Sequence, residues 1–149
     1  MADIAWRNHL ELVATPRAAS EARRHVRKIL ADWGYDHLID AAELVISELA
    51  TNALIATSRL APHHKADWAP GSPGRIWIDL FRGPTFVVLD VWDASSDRPQ
   101  PQVAAPDEEG GRGLALIETL AKYWGYRWLP GGGKIVWALL GAASDADAK

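Results

Sequence analysis

The chain contains no cysteine, which rules out disulfides, thiolate metal sites and cysteine nucleophiles. It also lacks long hydrophobic runs: no apolar stretch approaches the ~20 residues needed to cross a bilayer. The N-terminus has no charged region followed by an apolar run, so no targeting segment is read there. Lysine and arginine form no block, and a formal net charge of −3 leaves no basic footprint for nucleic acid or for a membrane surface. A cytoplasmic protein making no direct contact with nucleic acid or membrane is the expectation. Several enzyme signatures are missing as well. No Gly-x-Ser-x-Gly elbow and no His-Glu-x-x-His pair occurs. His63 and His64 are adjacent with no carboxylate spaced to join them, so no metal site is expected there.

What is present is an ordinary globular composition, 48% hydrophobic and 23% charged over 149 residues. That is one domain's length, enough to bury a core, with a polar tail over Gly141–Lys149 expected to fray. His9 to Ala14 alternates as a first strand. Thr15-Pro16 reads as N-cap and first turn of a helix whose apolar residues are Ala19, Ala22, Val26, Ile29 and Leu30, with Gly34 as its stop. A second helix, capped by Asp36, runs to about Ser58. Leu60 to Gly74 is a connection rich in proline and glycine. Arg75 to Phe81 and Phe86 to Asp93 form a hairpin about Gly83-Pro84. Ala94 to Glu109 is a long loop, of the kind that serves as a lid or a binding loop or is disordered. Leu114, Ile117, Leu120 and Ala121 open a third helix stopped by Gly125. Tyr126 to Leu129, a turn over Pro130 to Gly133, and a strand over Lys134 to Leu140 complete the chain.

Four features carry polar chemistry. Glu48 and Asn52 stand one turn apart on the second helix, at the rim of a stripe made by Leu38, Ala42, Val45, Ile46, Leu49 and Ala53. Asp93 ends its strand on the face of Val87, Leu89 and Val91, where a carboxylate costs free energy unless it is hydrogen-bonded. Asp90, on the other face, is expected to be solvated, as is Lys134 at its strand start. Gly110-Gly111-Arg112-Gly113 leads into a helix N-terminus, which presents free N–H groups to an anion. This loop is not a dinucleotide fingerprint, because Leu116 stands where the third glycine would be. Gly131 to Lys134 is not a P-loop, because Trp128 and Ile135 replace its first glycine and its Ser/Thr.

In this order, these residues resemble the N, G1 and G2 boxes of the GHKL ATPase superfamily, which includes gyrase and the histidine kinases. The likeness is strongest to the small anti-sigma-factor serine/threonine kinases and their actinobacterial relatives. It extends from Thr15-Pro16 and Arg23 through SELATNA (Ser47 to Ala53), Asp93, GRGLALI (Gly111 to Ile117) and Trp124-Gly125 to GGKIVWALL (Gly132 to Leu140). The resemblance implies a Bergerat-type α/β two-layer sandwich, a mixed sheet of about five strands covered on one face by three helices. It implies ATP and Mg²⁺ as cofactors, with Asn52 as the metal ligand, Asp93 accepting from the adenine amino group, and Gly111, Arg112, Gly113 and Leu114 at the phosphates. Glu48 would be the catalytic base. The implied partners are a sigma factor, which the protein would sequester, an anti-sigma-factor antagonist of the STAS type, and a second copy in a homodimer. Ser95 replaces the first glycine of the D-x-G-x-G pattern. Ile55-Ala56 stand where relatives often carry Arg-His, and Ile135 where they often carry a threonine that helps organise the adenine site. The competing expectation is an adaptor that binds nucleotide weakly or not at all and acts by protein contact.

Overall fold

The computed structural model describes residues 6–60, 74–99 and 113–141. Five strands and three helices follow in the order β1 (Arg7–Val13), α1 (Ala18–Asp32), α2 (Ile39–Ser58), β2 (Arg75–Arg82), β3 (Phe86–Asp93), α3 (Gly113–Leu120), β4 (Tyr123–Trp128) and β5 (Lys134–Gly141). The His63-His64 pair, most of the proposed lid and residues 142–149 lie outside the described residues. Among those described, no helix is long and apolar enough to cross a membrane.

The expected α/β sandwich is present, with one correction. The sheet order is β1-β2-β3-β5-β4 and all four pairings are antiparallel, not mixed. Two helices separate β1 from β2, so the chain reverses three times and the two strands run in opposite directions. The crossover from β3 through α3 sends β4 parallel to β3, but β5 folds back between them and splits the parallel pair.

Alternation decides what each face buries. Leu12, Ile76, Ile78, Leu80, Val87, Leu89, Val91, Val136, Ala138 and Leu140 turn to the helices. There they meet Ala22, Val26 and Leu30 of α1 and Ala42, Val45, Ile46, Leu49, Ala50 and Ala53 of α2. Arg27 locks the two helices together by donating to both Glu43 oxygens, at 2.7 and 2.9 Å. The caps are weaker than expected. Thr15 Oγ1 accepts from the Arg17 N–H at 3.3 Å, while Asp36 makes no side-chain cap and opens a short 3-10 turn before α2.

The third helix and fourth strand also depart from expectation. α3 ends at Leu120, and Gly125 lies inside β4 instead of stopping a helix. The reason is packing: a Cβ on Gly125 would press against the Trp137 ring of the neighbouring strand, a close approach that calls for glycine inside a strand.

The other face of the sheet holds a second correction. Asp90 is buried at 3% exposure rather than solvated, and so is its cross-strand partner Asp79. Arg7 and His9 bond Asp79 at 3.1 and 2.6 Å, and Arg127 reaches Asp90 at 3.4 Å. Trp77 and Trp92 stack beside them with centroids 4.3 Å apart. Burial is the largest influence on the Asp90 carboxyl, which is raised to about 6 against the pull of Arg127. The folded protein therefore holds this proton to a higher pH than the unfolded chain does. Ionising Asp90 erodes stability as pH rises from about 4 to about 6, and the whole cost, about 3 kcal/mol, is present above pH 6. Asp90→Asn is expected to stabilise the fold at pH 8 and to lose most of that advantage at pH 4, as read by urea unfolding. An effect equal at both pH values would contradict this assignment.

Candidate functional site

α2 packs on β3, β5 and α3, and Asp93 is the last residue of β3. Glu48 and Asn52 are both partly exposed, beside the buried stripe that includes Leu49 and Ala53. Among the described residues, no hydrogen bond or ion pair reaches the Glu48 carboxylate, and burial pushes its pKa upward. Arg23 of α1 donates to the Ser47 hydroxyl at 2.7 Å, linking the two helices one residue before Glu48. Among the described residues, the Asn52 Nδ2 atom is buried with no partner. A carboxamide turned over presents its oxygen in the same place, so the buried end of Asn52 is one that none of the described residues satisfies.

Asp93 is 1% exposed at the last position of β3. Its Oδ1 accepts from the Ser95 N–H at 2.8 Å and from Lys134 Nζ at 2.9 Å. Burial pushes the carboxyl upward, while the Lys134 bond and charge and the Ser95 N–H pull it back. Ser95 is itself buried and accepts from the Asp97 N–H at 3.0 Å. Asp93 and Ser95 together begin the loop with two consecutive side-chain turns.

Lys134 is the residue that reading the sequence missed. It was expected to be solvated, yet it is 3% exposed and is the register partner of Asp93. The signal was available: Lys134 shares its alternation with Val136, Ala138 and Leu140, so the buried face was its default. Register also corrects the reading of Ile135. That residue pairs with Trp92, on the face opposite Asp93, so a hydroxyl at position 135 would not reach the carboxylate from this strand.

A glycine turn makes the ion pair possible. Gly133 has φ +82°, and a Cβ there would run into the Asp93 carbonyl and the Trp92 indole. Trp92 Nε1 donates to the Gly132 carbonyl at 3.3 Å, holding the same turn. Gly133→Ala is expected to cost about 2 kcal/mol or more through backbone strain and overlap. Gly131→Ala, with nothing within 4 Å of the added carbon, should be close to neutral. Thermal unfolding of the two variants checks the contrast, and equal losses would contradict it.

Of the residues expected at the phosphates, Gly111 and Arg112 lie outside the described residues, while Gly113 and Leu114 form the first turn of α3. The N–H groups of a first helical turn have no intrahelical acceptor. The loop that leaves Asp93 therefore returns to the fold at the start of α3, a helix that packs against α2. Glu48, Asn52, Asp93 and the start of α3 belong to packed elements, and Lys134 joins them.

A search of curated proteins found no match. The family profile described as histidine kinase-like ATPase domain matches residues 12–139, a span that takes in α2, Asp93, the glycine loop, α3 and Lys134. The chain belongs to the histidine kinase-like ATPase domain family, and is an ATP-binding protein of that kind.

Proposed function

We propose that the protein is a Mg²⁺-dependent serine/threonine kinase of the anti-sigma-factor type. In this reading it phosphorylates a serine of a STAS-type antagonist and sequesters a sigma factor. The observation that carries it is Glu48: a half-buried carboxylate one turn from Asn52, without a partner among the described residues, with burial as the cause of its raised pKa. A nucleotide-binding module has no need of such a group, whereas phosphoryl transfer to a hydroxyl uses one as base.

The donor set suits the metal. Asn52 offers one hard carboxamide oxygen, and Mg²⁺ ordinarily completes its octahedron with phosphate oxygens and waters. The metal would supply neutralisation of the phosphate charge. Asn52 holds it, Asp93 accepts from the adenine amino group, and the N–H groups of Gly113 and Leu114, with Gly111 and Arg112 before them, bind phosphate oxygens. Glu48 takes the proton of the acceptor serine as the serine oxygen bonds to the γ-phosphorus, while the bond from that phosphorus to the β–γ bridging oxygen breaks and ADP leaves.

One observation favours the adaptor reading. The carboxylate meant for adenine already has an internal cation, Lys134, which competes with the base. Incubation with Mg·ATP and the STAS-type antagonist proteins of the same cell separates the two. Phosphoserine on an antagonist supports the kinase; a stable complex with an antagonist or sigma factor, unmodified and indifferent to nucleotide, supports the adaptor.

A further inference from the structure

The Asp93–Lys134 pair is more than a neutralised burial. Both residues are at most 3% exposed and sit opposite one another at the end of β3 and the start of β5, on the helix-covered face. An ammonium has three donors. The contacts described for Lys134 Nζ use one of them, on Asp93 Oδ1 at 2.9 Å. A carboxylate has about four lone-pair sites, and the contacts described for Asp93 fall on Oδ1 alone. Leaving donors of a buried ammonium unmet is costly. The pair therefore presents an acceptor and a donor side by side; among the described residues, the Asn52 carboxamide nitrogen of α2 also lacks a partner.

Adenine matches that order. Its Watson–Crick edge places the N6 amino donor next to the N1 acceptor. We propose that Lys134 is a specificity-determining residue of the base site, donating to adenine N1 while Asp93 accepts from N6. This rests on the reading of Asp93 as the adenine acceptor. Guanine in the same pose sets its O6 acceptor against the carboxylate and its N1–H against the ammonium, two mismatches in place of two bonds. The ion pair that competes with the base in the adaptor reading becomes half of the recognition, and the buried lysine is retained because the ligand uses it.

The test edits the ligand before the protein. Binding of Mg·ATP, Mg·1-deaza-ATP and Mg·3-deaza-ATP is measured by calorimetry on the intact chain. Replacing N1 by C–H removes the acceptor that Lys134 is assigned, and the expected result is at least tenfold weaker binding, the size of one charge-assisted hydrogen bond. The 3-deaza compound, altered away from that edge, should bind within about twofold of ATP, since it keeps the bond that carries the discrimination. In Lys134→Met the penalty for 1-deaza-ATP should collapse to within about twofold, because the donor is gone from both complexes. Lys134→Arg, which keeps a donor, should restore part of it. Equal binding of ATP and 1-deaza-ATP by the parent protein overturns the role of Lys134 while leaving ATP binding intact, and so does a 1-deaza penalty that persists in Lys134→Met. Equal losses for both deaza compounds overturn it too. No binding of any of the three overturns the nucleotide reading itself, and the lysine's role with it.

Discussion

Asp93→Asn is expected to destabilise the fold by about 3–5 kcal/mol, because it leaves the Lys134 ammonium buried without its counter-charge. The ion pair is not worth that much in its own right. Desolvating both ions offsets most of their attraction, so removing both charges should cost far less than removing one. Asp93→Asn with Lys134→Met should therefore recover most of the lost stability in urea unfolding. ATP binding should be at least tenfold weaker in both proteins, since the carboxamide offers the adenine amino group one uncharged acceptor oxygen in place of the carboxylate. Folding regained with binding still weakened would separate the structural role of the pair from its recognition role. Additive losses would show that the two charges do not depend on one another, against the 2.9 Å contact.

Glu48→Gln carries the second large effect. The glutamine keeps the shape and the half-buried position but cannot take a proton, so phosphoryl transfer to an antagonist serine should fall by about 10²- to 10⁴-fold. ATP affinity should stay within about twofold, because Glu48 is assigned to the acceptor hydroxyl and not to the nucleotide. Stability offers an independent check. A carboxyl whose folded pKa is raised by burial costs stability once pH exceeds that value, so the neutral amide should unfold no more easily than the parent at neutral pH. Parallel loss of binding and transfer would make Glu48 a structural residue of α2.

Much of this architecture was legible because the chain's periodicities are clean. Arg75 to Phe81 and Phe86 to Asp93 alternate without interruption, and β2 and β3 follow those bounds to within one residue. Asp93 stood out for a physical reason, a carboxylate on an otherwise apolar strand face, and the structure buries it with two hydrogen bonds. Lys134 breaks the same alternation, whereas Asp90 lies on the opposite face, and neither strand alone shows that the two are buried. What decided their burial was cross-strand register, which pairs Lys134 with Asp93 and Asp90 with Asp79, and register between distant strands is not written in either strand alone. β4 was misplaced because Gly125 has two local meanings, a helix stop or a close approach, and only the Trp137 ring beside it selects the second. The antiparallel sheet was hidden for a similar reason. The crossover through α3 does produce a parallel relation, and β5 then inserts itself between the two strands.

The proposed function requires α2, the end of β3 and the start of α3 to form a Mg·ATP site. A calorimetric titration with Mg·ATP tests it most directly. The predicted result is saturable binding at one site with a Kd below a millimolar, weakened at least tenfold by Asn52→Ala and equally by omitting the metal. A flat titration at millimolar Mg·ATP, or binding indifferent to both Asn52 and the metal, would contradict it.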